Sequence, residues 1–325
     1  MNKPPEWNTA LDELRAAKTV ALACHVNPDG DALGSLLGMS LALRKMGATT
    51  YPTWGSSPAN VPSNYAFLPG ASSIVQPGDL PEVDLFIAVD CGDASRVGSV
   101  EGALRKAPSS INIDHHPGND GFATHNIVIT DASSTAEIVT RMLEDLGVTL
   151  DKDIATCLYT GIVTDTGRFQ YTNSSPEVMR LAADLLAHGV PATTIAQEVF
   201  ESAPFGYLQL TGRVLDRAKL LKDHGFVYSW FTRKDLKETG VHVEETEKLI
   251  DLVRSTRDAD VAAMFKEQGD GAFRVSLRSK GPRSVGAIAR ANGGGGHELA
   301  AGFTAKTVEA AIEAIVAGLS EQGTP

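Results

Sequence analysis

Thr19-Val20-Ala21-Leu22-Ala23-Cys24-His25-Val26-Asn27-Pro28-Asp29-Gly30-Asp31 is the stretch on which the reading of this chain turns. Its first six residues form a short apolar run, partly β-branched, that suits a buried strand better than a helix. Asn27-Pro28-Asp29-Gly30 then supplies turn chemistry. From Ala32 to Met46, Leu33, Leu36, Leu37 and Leu43 recur at helical spacing, with Asp31 placed as the N-cap. His25 therefore stands at the carboxyl end of a strand, with Asp29 and Asp31 in the loop above it. Ligands of open parallel sheets collect at that edge. Taken alone, the segment reads equally as a turn with a helix cap or as half of a metal site.

Working outward, the same plan recurs. Leu85-Phe86-Ile87-Ala88-Val89 is a buried-strand run that ends on Asp90-Cys91-Gly92-Asp93, and Ile111-Asn112-Ile113 runs into Asp114-His115-His116-Pro117-Gly118-Asn119. Helix-compatible sequence separates these runs, which predicts an α/β domain whose sheet is mostly parallel and flanked by helices. Ser134 and Glu137 fit a capping box that opens another helix. A buried helix over Ile154 to Val163 leads into Thr164-Asp165-Thr166-Gly167, where Asp165 taken singly is a turn residue.

Together, His25, Asp29, Asp31, Asp90, His115 and Asp165 form a set of carboxylates and imidazoles, several of them at strand ends. Oxygen-rich donors with a few imidazoles and no thiolate favour Mn²⁺ or Mg²⁺ over a structural zinc. The number of acidic groups predicts two divalent ions, Mn²⁺ first, with Mg²⁺ or Co²⁺ as alternatives. Asp90 is the bridging group; His25 and Asp29 serve one ion, and Asp31, His115 and Asp165 the other. His115 and His116 cannot point the same way from a regular strand, so one ligates and the other reaches a substrate phosphate.

Length and composition set the frame. A chain of 325 residues predicts two domains, and 42% hydrophobic with 21% charged residues describes an ordinary folded protein. The formal charge of -11, from 29 basic and 40 acidic residues, argues against a partner such as long duplex nucleic acid, which needs a broad basic face. The N-terminal residues lack the features of a signal peptide and no apolar run approaches a membrane span, so a cytoplasmic protein with no membrane partner is expected. Cys24, Cys91 and Cys157 show no CxxC spacing and read as packing residues. His125, His188, His224 and His242 fall outside every motif and read as surface or structural.

His25-Val26-Asn27-Pro28-Asp29-Gly30-Asp31-Ala32, Val89-Asp90, Asp114-His115-His116 and Thr164-Asp165-Thr166-Gly167 resemble the successive signature motifs of the DHH phosphoesterase superfamily. Four motifs in family order over residues 18 to 170 are far more specific than a lone Asp-His-His.

In the second half, a helix over Pro176 to His188 is followed by Gly189-Val190-Pro191, which marks a domain boundary. The expected division is a catalytic domain over 1-188, a linker over 189-205 and a smaller α/β domain over 206-325. Phe226 to Phe231 reads as a strand, and Ala272 to Ser279 alternates with Phe273, Val275 and Leu277 on one face and Arg274, Ser276 and Arg278 on the other. Helical patterns cover Glu245 to Arg254, Val285 to Asn292 and Val308 to Leu319. Gly293-Gly294-Gly295-Gly296-His297 lies in an apolar context and reads as a cradle in which backbone amides approach an anion. With Ala300-Ala301-Gly302, it is similar to the signature of the DHHA1 domain, which by resemblance holds the nucleotide end of the substrate.

The resemblance is to the NrnA-type subgroup, and what it implies is metal-dependent hydrolysis of phosphate esters. Expected substrates are short RNA oligonucleotides, linear dinucleotides and 3′-phosphoadenosine 5′-phosphate, with cyclic di-AMP in some members. Water attacks phosphorus in line while the ions and His116 stabilise the developing charge; Asp114 orients a neighbouring histidine. Arg278, Ser279, Gly294, Gly295, Gly296 and His297 form the substrate-binding side, facing the metals across a cleft between the domains. A homodimer is compatible with this reading. The competing readings are an inactive cyclic-dinucleotide or RNA sensor, a RecJ-like exonuclease and an inorganic pyrophosphatase.

Overall fold

A computed structural model describes residues 2–323, which fall into two compact units, one ending at Ser202 and the other beginning at Ala203. The first unit carries, in chain order, α1 (Trp7–Ala16), β1 (Thr19–Ala23), α2 (Gly30–Lys45), β2 (Thr49–Thr53), β3 (Leu85–Val89), α3 (Glu101–Lys106), β4 (Ser109–Asp114), β5 (His125–Val128), α4 (Thr135–Asp145), α5 (Lys152–Asp165), α6 (Pro176–Ala187) and α7 (Ala192–Phe200). Its five strands form one wholly parallel sheet in the order β2-β1-β3-β4-β5. The chain leaves β1 toward one edge and β3 toward the other, so a crevice opens at the carboxyl ends of these two neighbours.

Alternation along the strands divides the core. Val20, Leu22, Ile87, Val89, Ile111 and Ile113 face the helices α2, α4 and α5, whereas Ala21, Ala23, Phe86 and Ala88 face a thinner layer that includes Leu104 of α3. The helices α2 and α5 approach closely because glycines stand at the crossing. A Cβ on Gly34 would lie 2.4 Å from the carbonyl oxygen of Cys157, and one on Gly161 would lie 2.8 Å from a carboxylate oxygen of Asp31. The three cysteines are buried and unpaired by disulfides, as packing residues should be.

Three expectations are corrected. The N-cap of α2 is Asp29, not Asp31: Asp29 is extended (φ -97°, ψ -165°) and its Oδ1 accepts from the amides of Asp31 and Ala32, both at 3.0 Å. Asp31 sits inside the first turn, where its carboxylate meets Ser35 of its own helix and the start of α4. The capping box at α4 is half formed. Ser134 Oγ accepts from the Glu137 amide, but Glu137 reaches back to the amide of Ser133 rather than Ser134. The stretch 189–205, read as a linker, contains α7, whose Ile195 and Val199 are buried in the core of the first unit.

The second unit contains α8 (Phe205–Asp216), β6 (Lys219–Leu221), β7 (Phe226–Phe231), α9 (Arg233–Thr239), α10 (Leu249–Arg254), β8 (Val261–Glu267), β9 (Phe273–Ser279), α11 (Val285–Ala291), β10 (Gly295–Gly296), β11 (Ala300–Ala305) and α12 (Val308–Glu321). Its mixed six-stranded sheet has the order β10-β11-β9-β8-β7-β6, with β7 and β8 parallel. Phe226, Phe265, Val275, Leu277 and Phe303 pack with Ile288 of α11 and Ile315 of α12 on one face; Val227, Phe231, Ala262 and Met264 pack with α8 and α10 on the other. No described helix is long and apolar enough to cross a membrane.

Candidate metal centre

His25 follows β1, Asp90 follows β3, Asp114 ends β4 with His115 and His116 just beyond, and Asp165 is the last residue of α5. The parallel sheet thus delivers side chains from three adjacent strand ends to one place, and α2 and α5 bring the remaining carboxylates. Asp90 has φ +60°, a left-handed backbone that turns the chain sharply out of β3; Asp and Asn tolerate it better than most residues. Its amide donates to Ile113 at 2.9 Å, which anchors the turn to β4.

Asp90 is buried, and its two carboxylate oxygens face different neighbours. Oδ2 lies 3.5 Å from His25 Nε2, while Oδ1 lies 3.8 Å from His115 Nε2 and 3.6 Å from His116 Nδ1. His25 Nε2 is 3.9 Å from Asp29 Oδ1, and His115 Nε2 is 3.6 Å from Asp165 Oδ2 and 4.0 Å from Asp31 Oδ2. Two donor groups result, His25 with Asp29 and Asp90, and Asp31 with His115 and Asp165; within each, the ligand atoms lie within 4.8 Å of one another. A third grouping of Asp90, His115 and His116 overlaps them.

The imidazoles are oriented from behind. His25 Nδ1 lies 2.9 Å from the carbonyl of Val26, so a proton on Nδ1 leaves Nε2 as the ligand atom. His116 Nδ1 lies 2.8 Å from Asp114 Oδ1, and Asp114 Oδ2 accepts from Asn119 Nδ2 at 2.6 Å. The same Asn119 amide group also donates to the Cys91 carbonyl at 3.0 Å. Asp31, 2% exposed, accepts from the backbone amides of Thr135 and Ala136 at 2.7 and 2.9 Å and from the Ser35 hydroxyl.

Burial and mutual repulsion among the carboxylates shape the electrostatics of this cluster. Burial, then the negative charges of Asp90 and Asp29, push Asp165 up to about 8, and burial with Asp90 and Asp165 raises Asp31 well above the usual carboxylate range. Burial acts the same way on Asp90, but the hydrogen bond and charge of His25, with His115 and His116, outweigh it and hold that carboxyl well below its ordinary value. The hydrogen bond to Asp114 raises His116 to about 9. Such a set of hard oxygen donors and imidazoles suits Mn²⁺ or Mg²⁺, and the residues present fit a pair of divalent ions.

Residues 19–162 match the family model described as "DHH family, N-terminal domain", and residues 223–322 match the "DHHA1 domain". The "Bifunctional oligoribonuclease and PAP phosphatase NrnA" of Thermus thermophilus is 34% identical over 310 residues, 94% of this chain and 90% of that protein. The chain belongs to the DHH family. The Bacillus subtilis protein of the same name is 28% identical over 87% of this DHH chain and 88% of its own length. An exopolyphosphatase-related protein from Bacteroides fragilis superposes with a TM-score of 0.89 at 25% identity, covering 97% of this chain and 96% of that one. RecJ of Thermus thermophilus, solved with Mn²⁺, shares the fold at a TM-score of 0.59 and 14% identity over 98% of this chain and 55% of its own.

In the DHHA1 region of this DHH protein, the glycine run is a tight hairpin. The amides of Gly293, Gly294 and His297 donate to the carbonyls of Arg290, Ala289 and Ala300. A Cβ on Gly294 would lie 2.1 Å from the Gly302 carbonyl oxygen and one on Gly296 2.6 Å from that of Ala300, so close backbone approach dictates these glycines. Gly295 faces open space. Arg278 pairs in register with Ala300, which brings it to the same corner of the sheet as His297. Ser279 does not join them. It is buried on the opposite face of β9, and its hydroxyl meets the backbone of Gly281. Sequence reasoning passed over Asn119 and Thr135, whose partners become visible only once the chain is folded.

Proposed function

We propose that this protein is a two-metal phosphoesterase that hydrolyses short oligoribonucleotides and 3′-phosphoadenosine 5′-phosphate, the activities named for its NrnA relatives. The observation that carries the reading is Asp90, whose two oxygens face the two donor groups, as a bridging carboxylate requires. His25 and Asp29 would hold one ion and Asp31, His115 and Asp165 the other, with Mn²⁺ the favoured metal. Two divalent ions so held would polarise a phosphoryl oxygen and lower the pKa of the attacking water.

The chain's own residues do the rest. His116 commits Nδ1 to Asp114, whose hydrogen bond raises its pKa to about 9, so its Nε2 is the atom left to meet a phosphoryl oxygen as charge develops there. Asn119 and Asp114 fix the plane of that ring. Arg278 and His297 of the DHHA1 domain bind a phosphate or ribose of the substrate, with Gly295 leaving room beside them. Gly294 and Gly296 shape that corner by allowing close backbone approach.

The test is one Mn²⁺-dependent assay over 3′-phosphoadenosine 5′-phosphate, di- to pentaribonucleotides, long RNA, cyclic di-AMP and pyrophosphate. Preference for pyrophosphate or long RNA would overturn the assignment. Retention of turnover by Asp90→Ala would overturn the two-ion centre.

A further inference from the structure

We infer that Thr135 is a positioning residue of the metal centre, fixing the bridging carboxylate of Asp90 with its hydroxyl and the carboxylate of Asp31 with its backbone amide. The inference rests on the two-ion reading above. Thr135 is fully buried at the first position of α4. Its Oγ1 donates to Asp90 Oδ1 at 2.9 Å, across 45 residues of sequence, and its amide donates to Asp31 Oδ2 at 2.7 Å. The next amide, of Ala136, donates to Asp31 Oδ1 at 2.9 Å.

The helix itself does not need this hydroxyl. Capping of α4 is done by Ser134, whose Oγ accepts from the Glu137 amide at 3.1 Å. Elsewhere in the first unit, threonine hydroxyls inside helices turn back onto their own backbone: Thr140 to Ala136, Thr156 to Lys152, Thr160 to Thr156. At the first turn there is no such intrahelical carbonyl to take it, and the hydroxyl of Thr135 is directed into the site instead.

The choice of oxygen matters. Oδ1 of Asp90 is the one that faces His115, whereas Oδ2 faces His25. A donor on Oδ1 stops the carboxylate from rotating about its last bond and so keeps one oxygen assigned to each donor group. An ionised carboxylate oxygen has two lone pairs, enough for this hydrogen bond and one metal bond together. Losing the donor frees the rotation and weakens the position served by Oδ1, the one shared with Asp31, His115 and Asp165. The position built on His25 and Asp29 keeps its own partners.

The experiment is equilibrium Mn²⁺ binding to the full chain without substrate, followed by the loss of the free-ion EPR signal, for wild type, Thr135→Val and Thr135→Ser. Wild type should take up two ions. Thr135→Val should raise the dissociation constant of one ion by about tenfold or more and leave the other unchanged. Thr135→Ser, which keeps the donor, should restore both. Should Thr135→Val fail to fold by circular dichroism, Thr135→Ala carries the same readout. Wild-type constants in the variant lacking the hydroxyl, or a serine variant as weak as the valine one, would overturn the inference. Failure of wild type itself to bind two ions would sink the metal reading beneath it, a distinguishable result.

Discussion

His116 owes its character to a chain of contacts in which each link sets the next: Asn119 holds Asp114, and Asp114 holds the ring. Asp114→Asn preserves shape but removes the ionised acceptor whose hydrogen bond, and then charge, lifts His116 to about 9. The high-pH fall in kcat, read from a pH profile, should then move toward the ordinary histidine value of about 6.5. A profile unchanged from wild type would show that His116 is not the group that titrates. Burial of uncompensated charge makes a second, metal-free prediction. An acid raised in the folded state, such as Asp165, contributes stability below its unfolded value of about 3.9, and that contribution is lost as pH rises toward 8. His116, raised to about 9, contributes below about 6.5 and loses its effect as pH rises through 9. Both act in one direction. The melting temperature of protein stripped with EDTA should therefore fall from pH 5 to pH 9, Mn²⁺ should reverse the fall, and Asp165→Asn should melt higher than wild type at pH 8 while losing turnover.

Among elements, the contact of α2 with α5 and α4 decides whether Asp31 can stand where it does. A Cβ on Gly161 would meet Ala136 Cβ at 2.5 Å and the Asp31 carboxylate at 2.8 Å. Gly161→Ala should cost about 1–3 kcal/mol of stability in urea unfolding and weaken Mn²⁺ uptake with it. In the second unit, Asp235 completes the capping box of α9 with the N-cap Thr232 and is buried between Arg217, Arg213 and the amide and hydroxyl of Thr232. The Arg217 hydrogen bond first, over the opposing effect of burial, holds its carboxyl well below the usual range, so the contribution persists above about pH 4 and is lost in more acid solution. Because Arg217 is partly exposed, Asp235→Ala should cost about 2 kcal/mol at pH 7, measured as a shifted urea midpoint. Of the first sheet's strands, the legible ones were the inner three: β1 and β3 are short apolar runs because they are covered on both faces, and β4, though it carries Ser110 and Asn112, was marked by Ile111 and Ile113 running into the Asp-His-His motif. The ones passed over, β2 and β5, are its two edges. Thr49-Thr50-Tyr51-Pro52-Thr53 carries a proline, which an edge strand tolerates and a central one does not. Of the six acidic and imidazole positions, His25, Asp90 and His115 stood out because they lie just beyond those strands, whereas Asp29, Asp31 and Asp165, at helix ends, drew attention only as part of the set. Thr135 was not legible, because a hydroxyl at a helix start looks the same in sequence whether it serves its own helix or a carboxylate 45 residues away.

For the whole molecule, a net charge of -11 means that the substrates proposed above would be held by local cations, Arg278 among those proposed. Single strands lose affinity with salt by a log–log slope of about -0.7 for each phosphate neutralised. A substrate gripped at two phosphates should thus show a slope near -1.4 for KM-derived affinity between 50 and 200 mM salt, measured on a triribonucleotide. A slope several times steeper would reveal a long cationic track that the composition argues against.

The left-handed backbone at Asp90 has one further consequence, for what can replace it. A side chain at this position must both tolerate φ +60° and present two oxygens at short reach, and these demands come from separate parts of the physics. Asparagine satisfies the first and keeps the shape while halving the oxygen count; glutamate keeps both oxygens but lengthens the arm and fits the backbone worse. The alphabet at position 90 is in effect one letter long, so Asp90→Asn and Asp90→Glu separate the cost of lost ligation from the cost of a distorted turn.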